Sequence, residues 1–500
     1  MFGKKLLPLV IASWLGVLLL TLSDCKVSEE DISQRNPVPV LSSISPSAQV
    51  TYMPSFTLTV TGSNFVRDST IVFNGIDRVS QYVSSEELTC RIDPDDIPAD
   101  SASQYTGIMD TGSADSTIPV LVRSPLPGGG NSNTLEFTIH SHHTFTGPAA
   151  ITPGDAIYAN PALAVDQSCT LFLVYEFYDG NTNIFAIDFT RSTDNGETWE
   201  TPYRLVQFIA SGSYNPCIAL DSQGNINVAY YSGGGIMFTR SQDQGINWTI
   251  PRLISGFSPE IVAPAMAIDP GDGINIVWPQ RDDNLNFPVY FSRSVDDGAT
   301  WSPPVNAFAG WQNSSWTYNP AIAVDGSQGV YVTWTVWPVG GSRYSFVYSN
   351  YSHDNGATWS SSDSYFGVCS SSDIAVDPEG NVDLLLESSY LPFSNQVVFM
   401  QSKDRGVNWN IRIEVTSDRF DSDPGLVIDS AGNINVTYYY NNGFFFNRSV
   451  NNGIDWGAET SLTGGGKGMD MAVDLAGNIY MVYQHGGSLQ LYFLRSHQYL

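Results

Sequence analysis

The sequence predicts an all-β protein: a small β-sandwich followed by a β-propeller of seven blades, with six blades as the fallback. Three observations carry this reading. An apolar strand ending in aspartate recurs seven times, 45 to 56 residues apart. A turn of the pattern S-x-D-x-G-x-x-W recurs six times. Ahead of both, residues 37–140 alternate short apolar strands with glycine- and proline-rich turns.

The chain opens on an export segment. Lys4 and Lys5 precede an apolar stretch from Leu6 to Leu20, followed by T-L-S-D-C ending at Cys25. A basic start, an apolar run of this length and an early cleavage region read as a secretion signal over residues 1–25. The run is short for a membrane span, which takes about 20 apolar residues. Leu22-Ser23-Asp24-Cys25 resembles a bacterial lipobox, which implies lipidation at Cys25. Asp24 departs from that pattern, because a small residue usually stands before the cysteine. An ordinary signal and an uncleaved anchor are the alternatives.

After a polar linker over residues 26–36, Phe56, Leu58 and Val60 alternate with threonines, giving a half-buried strand. Ile71-Val72-Phe73 runs into Asn74-Gly75, a pair that favours a turn with positive φ. S-I-S-P at Ser43 to Pro46, G-S-N-F at Gly62 to Phe65, F-N-G at Phe73 to Gly75 and the glycine-rich loop from Pro127 resemble the IPT/TIG family. That resemblance implies an immunoglobulin-like β-sandwich over residues 37–140, used for spacing or adhesion and without catalytic residues.

Residues 141–500 are repetitive. The aspartate-ending strands close at Asp166, Asp221, Asp269, Asp325, Asp377, Asp429 and Asp474. Each leads through a polar turn into a second strand such as I-N-V-A-Y, then a third that commonly ends in Arg-Ser. A period near 50 built from short strands is the signature of a propeller, one four-stranded sheet per repeat. The second motif begins at Ser192, Ser241, Ser294, Ser352, Ser402 and Ser449, with its acidic position at Asp194, Asp243, Asp296, Asp354 and Asp404 and an amide at Asn451. These six turns resemble the Asp-box, or BNR, repeat of sialidase-like propellers. The carboxylate accepts turn N–H groups, the glycine permits an unusual backbone, and the tryptophan is expected to pack the hairpin against its own blade. Their ligand count is too low for a calcium loop, so they read as structural. The last repeat stops without a fourth strand, and F-T-G-P-A-A-I-T-P from Phe145 is expected to supply it by pairing the two ends of the ring.

Apolar residues make up 42% of the chain and aromatics 12%, ample for large cores. Acidic residues number 50 against 22 basic, a net charge of −28, and beyond Lys26 the only lysines are Lys403 and Lys467. Such a surface repels phosphate backbones and anionic headgroups, which excludes nucleic acid as a partner and leaves membrane contact to the N-terminal anchor. Cys90, Cys169, Cys217 and Cys369 are too sparse for a disulfide scaffold and show no zinc spacing. Packing as small apolar groups fits them best, although one bridge among the last three is an alternative.

Repeated residues serve the repeat, so a ligand site is sought among the others. The arginines at a shared strand-end position, Arg191, Arg240, Arg293, Arg448 and Arg495, fall on the structural side of that division. Loops joining second to third strands and one blade to the next gather at the end opposite the boxes. They carry Trp311, Trp316, Tyr318 and Trp337, with Arg281, Asp282, Asp283, Arg343 and Arg419. Flat aromatic faces suit sugar rings or apolar protein anchors, and plugging the channel mouth is the alternative. The arginines resemble a carboxylate clamp, yet acidic neighbours flank Arg281 and Arg419, so local pairing is favoured. Glu176, Asp179 and Glu387 occupy comparable loops. Sialidases carry an F-R-I-P-like motif ahead of the first box, and none is present here. The function read from the sequence is non-enzymatic recognition of a glycan, or of an envelope or extracellular protein, by an exported envelope protein needing no cofactor or metal. The protein is lipid-anchored in this reading, or else periplasmic or secreted. A sialidase-like glycoside hydrolase and a purely structural envelope protein are the alternatives.

Overall fold

A computed structural model describes residues 35–50, 56–93, 96, 116–140, 144–208, 214–256, 263–282, 287–307, 316–338, 344–361, 363–390, 393–410, 412–416, 422–457 and 459–497. No α-helix occurs among the described residues. Cys25 and the expected export segment over residues 1–25 lie outside them.

The chain divides into two compact units, the first ending at His140. In the first unit, one sheet orders Val40–Ser45, Phe56–Ser63, Glu87–Ile92 and Ser80–Ser84. A second sheet orders Ala48–Val50, Leu135–His140, Ser116–Ser124, Thr70–Phe73 and Ile76–Asp77, and Gly130–Asn131 pairs with Ser116–Ser124. The period-two pattern is realised: Leu58 and Val60 are fully buried, as are Ile71, Phe73, Val120, Val122 and Phe137 from the other sheet. Phe137 stacks on Phe56 and meets Phe73 edge-on, which joins the two sheets through one core. Asn74 and Gly75 both adopt positive φ, as their turn chemistry predicts.

The second unit repeats one antiparallel pattern. Among the described residues it comprises five four-stranded sheets and one seven-stranded sheet. In the seven-stranded sheet, the long strand Ser364–Val376 pairs with Phe346–Ser352 through its first part and with Val382–Tyr390 through its second. Thr144–Ala150 pairs with Leu491–His497, so the two ends of the repetitive region share a sheet, as expected from the missing strand. The first strands of successive repeats pack side by side: Ile157–Val165, Cys217–Leu220, Ala265–Ile268, Trp316–Val324, Ser364–Val376, Ser422–Ile428 and Gly466–Val473, which returns to Ile157–Val165.

Burial follows from this stacking. Second strands such as Ile226–Ser232 bury both faces, because a neighbouring repeat covers each. Ile226, Val228 and Tyr230 pack on Phe172, Val174 and Phe189 of the preceding repeat. Ala229 on the opposite face joins Ile274, Ile276 and Trp278 of the next. The sequence of cores closes where Tyr480, Val482 and Phe493 meet Tyr158, Leu171 and Tyr175. All four described cysteines are free. Burial pushes the thiols of Cys90, Cys217 and Cys369 up to about 12, so they stay protonated and pack as apolar groups.

The Asp boxes are turns closed by their own side chains. In the first, Ser192 Oγ donates to Asp194 Oδ1 and accepts from Gly196 N–H. Asp194 accepts from the N–H and hydroxyl of Thr198. The pattern recurs at Asp243, Asp296, Asp354 and Asp404, and Asn451 keeps the two Oδ1 bonds with its amide oxygen. One expectation is corrected. The box tryptophan packs edge-on against a phenylalanine of the preceding repeat: Trp248 on Phe189, Trp301 on Phe238, Trp359 on Phe291, Trp456 on Phe399 and Trp199 on Phe493. Each box is therefore a joint between repeats. Its spacing shows the turn but not the partner the ring meets.

The strand-end arginines complete this joint. Arg240 and Asp221 form a fully buried pair, N···O 2.5 Å, and Arg240 also reaches Asp297 in the next box. Arg293 and Arg448 pair in the same way with Asp269 and Asp429. Arg191 bonds Glu200 and the carbonyl of Gln244 in the next box, and Arg495 bonds Glu197 and the carbonyl of Asn195.

Candidate functional site

Antiparallel order puts the box turns at one end of the sheets and the loops joining second to third strands at the other. The boxes hold their own polar groups, so the opposite end is where uncommitted surface lies. There, Trp316 opens the first strand of its repeat and Trp337 closes the second, and the register sets them directly opposite each other. Direct cross-strand partners stand close enough for large side chains to act together. Trp316 is 49% exposed and Trp337 46%, whereas Trp278 and Trp334 in second strands are fully buried. Phe287, from the loop of the preceding repeat, stacks on Trp316 with ring centroids 4.7 Å apart and planes 27° from parallel. One indole face is thus backed and held while the ring remains half open to solvent. Phe287 was not singled out in the sequence, although it is a non-repeated aromatic in a loop.

Tyr318 lies two residues inward and is half buried. Burial pushes its hydroxyl up from the ordinary range; the hydrogen bond with Ser345 opposes the shift and the Glu387 carboxylate adds to it. Arg281 and Asp282 follow the second strand of the preceding repeat and are part-buried. Trp311, Arg343, Arg419 and Asp283 lie outside the described residues, so of the three candidate arginines only Arg281 is placed.

Three acids of this end, Glu176, Glu387 and Asp179, are tied into the framework. Glu176 accepts from the N–H groups of Tyr214 and Asn215 at 2.6 Å each, linking its repeat to the next. Glu387 accepts from the Ser371 hydroxyl at 3.0 Å. Asp179 caps its own turn through Asn181 and Thr182, bonds that hold its carboxyl below the usual range. Three further carboxyls, Asp373, Asp423 and Asp470, sit on first strands; Asp373 and Asp470 share a position that is Ala162, Cys217, Ala265, Ala321 and Gly425 in the other repeats. Asp373 accepts from Leu426 N–H at 2.8 Å and Asp470 from Leu163 N–H at 2.7 Å, each reaching the next repeat. Burial pushes Asp373 up to about 6 and Asp470 up to about 7, with the charge of Asp373 adding to the rise at Asp470. Burial raises Asp423 as well. For Asp373 and Asp470 the sequence signal is an aspartate in a position that is otherwise small. Among the described residues, no group of three or more histidine, cysteine or acidic side chains is placed to hold a metal ion.

Comparison with known proteins bears on both units. None of the curated proteins matches the chain. Among solved structures, an ulvan lyase representing a new family of polysaccharide lyase superposes with a TM-score of 0.51 at 11% identity, covering 70% of this chain and 96% of that one. An α-L-arabinanase from Penicillium chrysogenum, complexed with arabinobiose, gives 0.44 at 14% identity over 71% and 98%. A Hadza microbial sialidase gives 0.41 at 14% identity over 92% of each chain. At such identity the ulvan lyase likeness describes the fold. The chain carries an IPT/TIG domain, matched over residues 39–139, and a BNR repeat-like domain, matched over residues 140–318.

Proposed function

We propose that residues 141–500 form a closed seven-bladed β-propeller that binds a glycan without cleaving it. Splitting the seven-stranded sheet at Ser364–Val376 gives seven four-stranded units, and the side-by-side first strands return to their start, which supports the blade count. The observation that carries the binding reading is the facing pair Trp316 and Trp337, half exposed in strands where no repeat requires an aromatic. A ring backed by Phe287 loses little freedom when a sugar stacks on it. The ulvan lyase of related fold has been seen bound to -[GlcA(1-4)Rha3S]-, which agrees with a glycan at this kind of scaffold. The non-enzymatic part of the reading rests on Glu176, Asp179 and Glu387, each committed to framework bonds. A glycan array probed with the purified chain, alongside an assay for released sugar, tests both halves. Binding without release is expected; release of sugar or of unsaturated fragments would make the protein an enzyme.

We also propose that the protein is exported and held at the cell envelope by lipid on Cys25, with residues 37–140 as the spacer. The basic start, the apolar run and Leu22-Ser23-Asp24-Cys25 support this. Cys25→Ser should move the protein from the membrane to the soluble fraction. An unmodified N-terminus by intact mass would reject the anchor.

A further inference from the structure

We propose that Trp316 and Trp337 form the aromatic rim of a site shared by two repeats, whose floor, Tyr318 and Glu387, grips the free hydroxyl groups of the stacked sugar. This rests on the glycan reading above and names the groups that select the ligand. The register builds the floor. Two residues inward from the tryptophans, on the same side of the sheet, Tyr318 stands directly opposite Thr335. Thr335 Oγ1 donates to the Ser370 carbonyl of the next repeat at 3.4 Å, and Ser372 Oγ bonds Thr333 Oγ1 at 3.1 Å, so the two repeats touch on this side. There an irregularity between Cys369 and Ser372 sets Ser370 and Ser371 against Glu387. Ser371 Oγ donates to Glu387 Oε2 at 3.0 Å, which orients a part-buried carboxylate.

The floor holds both kinds of hydrogen-bonding group. Ser345 bonds the Tyr318 hydroxyl, and the Glu387 charge is felt there. Arg412 Nη2 lies 4.0 Å from Cys369 Sγ, and the charges of Arg412 and Glu387 both act on that thiol. Sugar hydroxyls donate and accept, so an acid, a base and a phenol gathered at one place suit them. A carboxylate has about four accepting positions, and its bonds from hydroxyls are charge-assisted, roughly twice as strong as neutral ones. The indoles take the apolar C–H face of the ring, a contact that tolerates many sugars. Selection falls to the floor, because a substituted hydroxyl leaves its polar groups unpaired. The ligand class is therefore a glycan whose stacked unit carries unsubstituted neighbouring hydroxyls.

Affinity gel electrophoresis of the full chain, with arabinan, xylan, mannan, laminarin, alginate or ulvan embedded in the gel, tests this. On a polymer that retards the protein, Glu387→Gln should weaken retardation about tenfold and Tyr318→Phe about threefold, both at unchanged melting. Methylating that polymer's hydroxyls should cost the wild-type chain about tenfold or more, and Glu387→Gln distinctly less, because the acceptor they meet has already been weakened. A carboxylate that only braces the framework would leave the two methylation losses equal, which would overturn the floor. Full retardation of the wild-type chain by the methylated polymer would overturn it without recourse to any variant. So would retardation that Trp316→Ala weakens while Glu387→Gln and Tyr318→Phe match wild type; a glycan site would then remain. No retardation by any polymer, or retardation indifferent to both tryptophans, would overturn the glycan reading itself.

Discussion

Phe189 of the first repeat and Trp248 of the second meet edge-on, ring centroids 5.1 Å apart, and the same Phe189 ring fills the space beside Gly245 in that box. Gly245 therefore has two reasons to lack a side chain: a φ of +87° and a neighbour already in place. Gly224 shares the positive φ, +77°, but has nothing within 4 Å of a would-be Cβ. Gly224→Ala should then show backbone strain alone. Gly245→Ala should add an overpacking cost of about 1–3 kcal/mol. Equal losses by denaturant unfolding would mean that the box does not join the repeats through this ring.

The Arg240–Asp221 pair is buried on both sides and also satisfied by Asn227 at 2.8 Å. Removing one partner strands the other charge away from water. Arg240→Met should cost about 3–5 kcal/mol. The exposed pair Arg91–Asp93 in the first unit should cost under about 1 kcal/mol when broken, because solvent screens it. Comparable losses at the two sites would contradict the burial argument.

Asp383 stands where three other repeats carry asparagine, Asn227, Asn275 and Asn435. Gln401 donates to its Oδ1 at 2.8 Å, while Oδ2 is buried without a hydrogen-bond partner. Burial pushes this carboxyl up to about 7, Asp377's charge adding to the rise. The folded state thus prefers the protonated acid. Its stabilising effect is complete below the unfolded carboxyl pKa of about 4 and is lost as pH rises through about 7. Asp383→Asn should match wild type in acid and melt higher at alkaline pH. A constant difference across that range would remove the proton linkage.

Ring closure depends on Thr144–Ala150 completing the sheet of Leu491–His497. Deleting residues 145–153 exposes an unpaired edge, an invitation to strand addition by another copy. Light scattering should then show soluble aggregates, and a monomer with unchanged melting would refute the closure.

Legibility in the sequence followed the range of each interaction. The first strands and boxes could be read because their residues lie within a few positions of their partners. Closure at Phe145 could be read because one strand was missing from a count. Contacts between repeats could not: Trp248 meets Phe189 59 positions earlier, and only register brings them together. Glu176 looked like a candidate acid for the same reason, since its partners Tyr214 and Asn215 belong to the next repeat. Phe287 and the first-strand carboxyls escaped notice because nothing local marks them. The exposed tryptophans stood out by subtraction, once box and second-strand copies had been assigned.

The measurement closest to the central claim is the affinity of the Trp316→Ala/Trp337→Ala double variant for whichever polysaccharide retards the wild-type chain, compared by titration calorimetry at matched folding. A central aromatic anchor contributes about 2 kcal/mol or more, so the account predicts at least a roughly thirty-fold weaker Kd. Wild-type affinity in the double variant would contradict it.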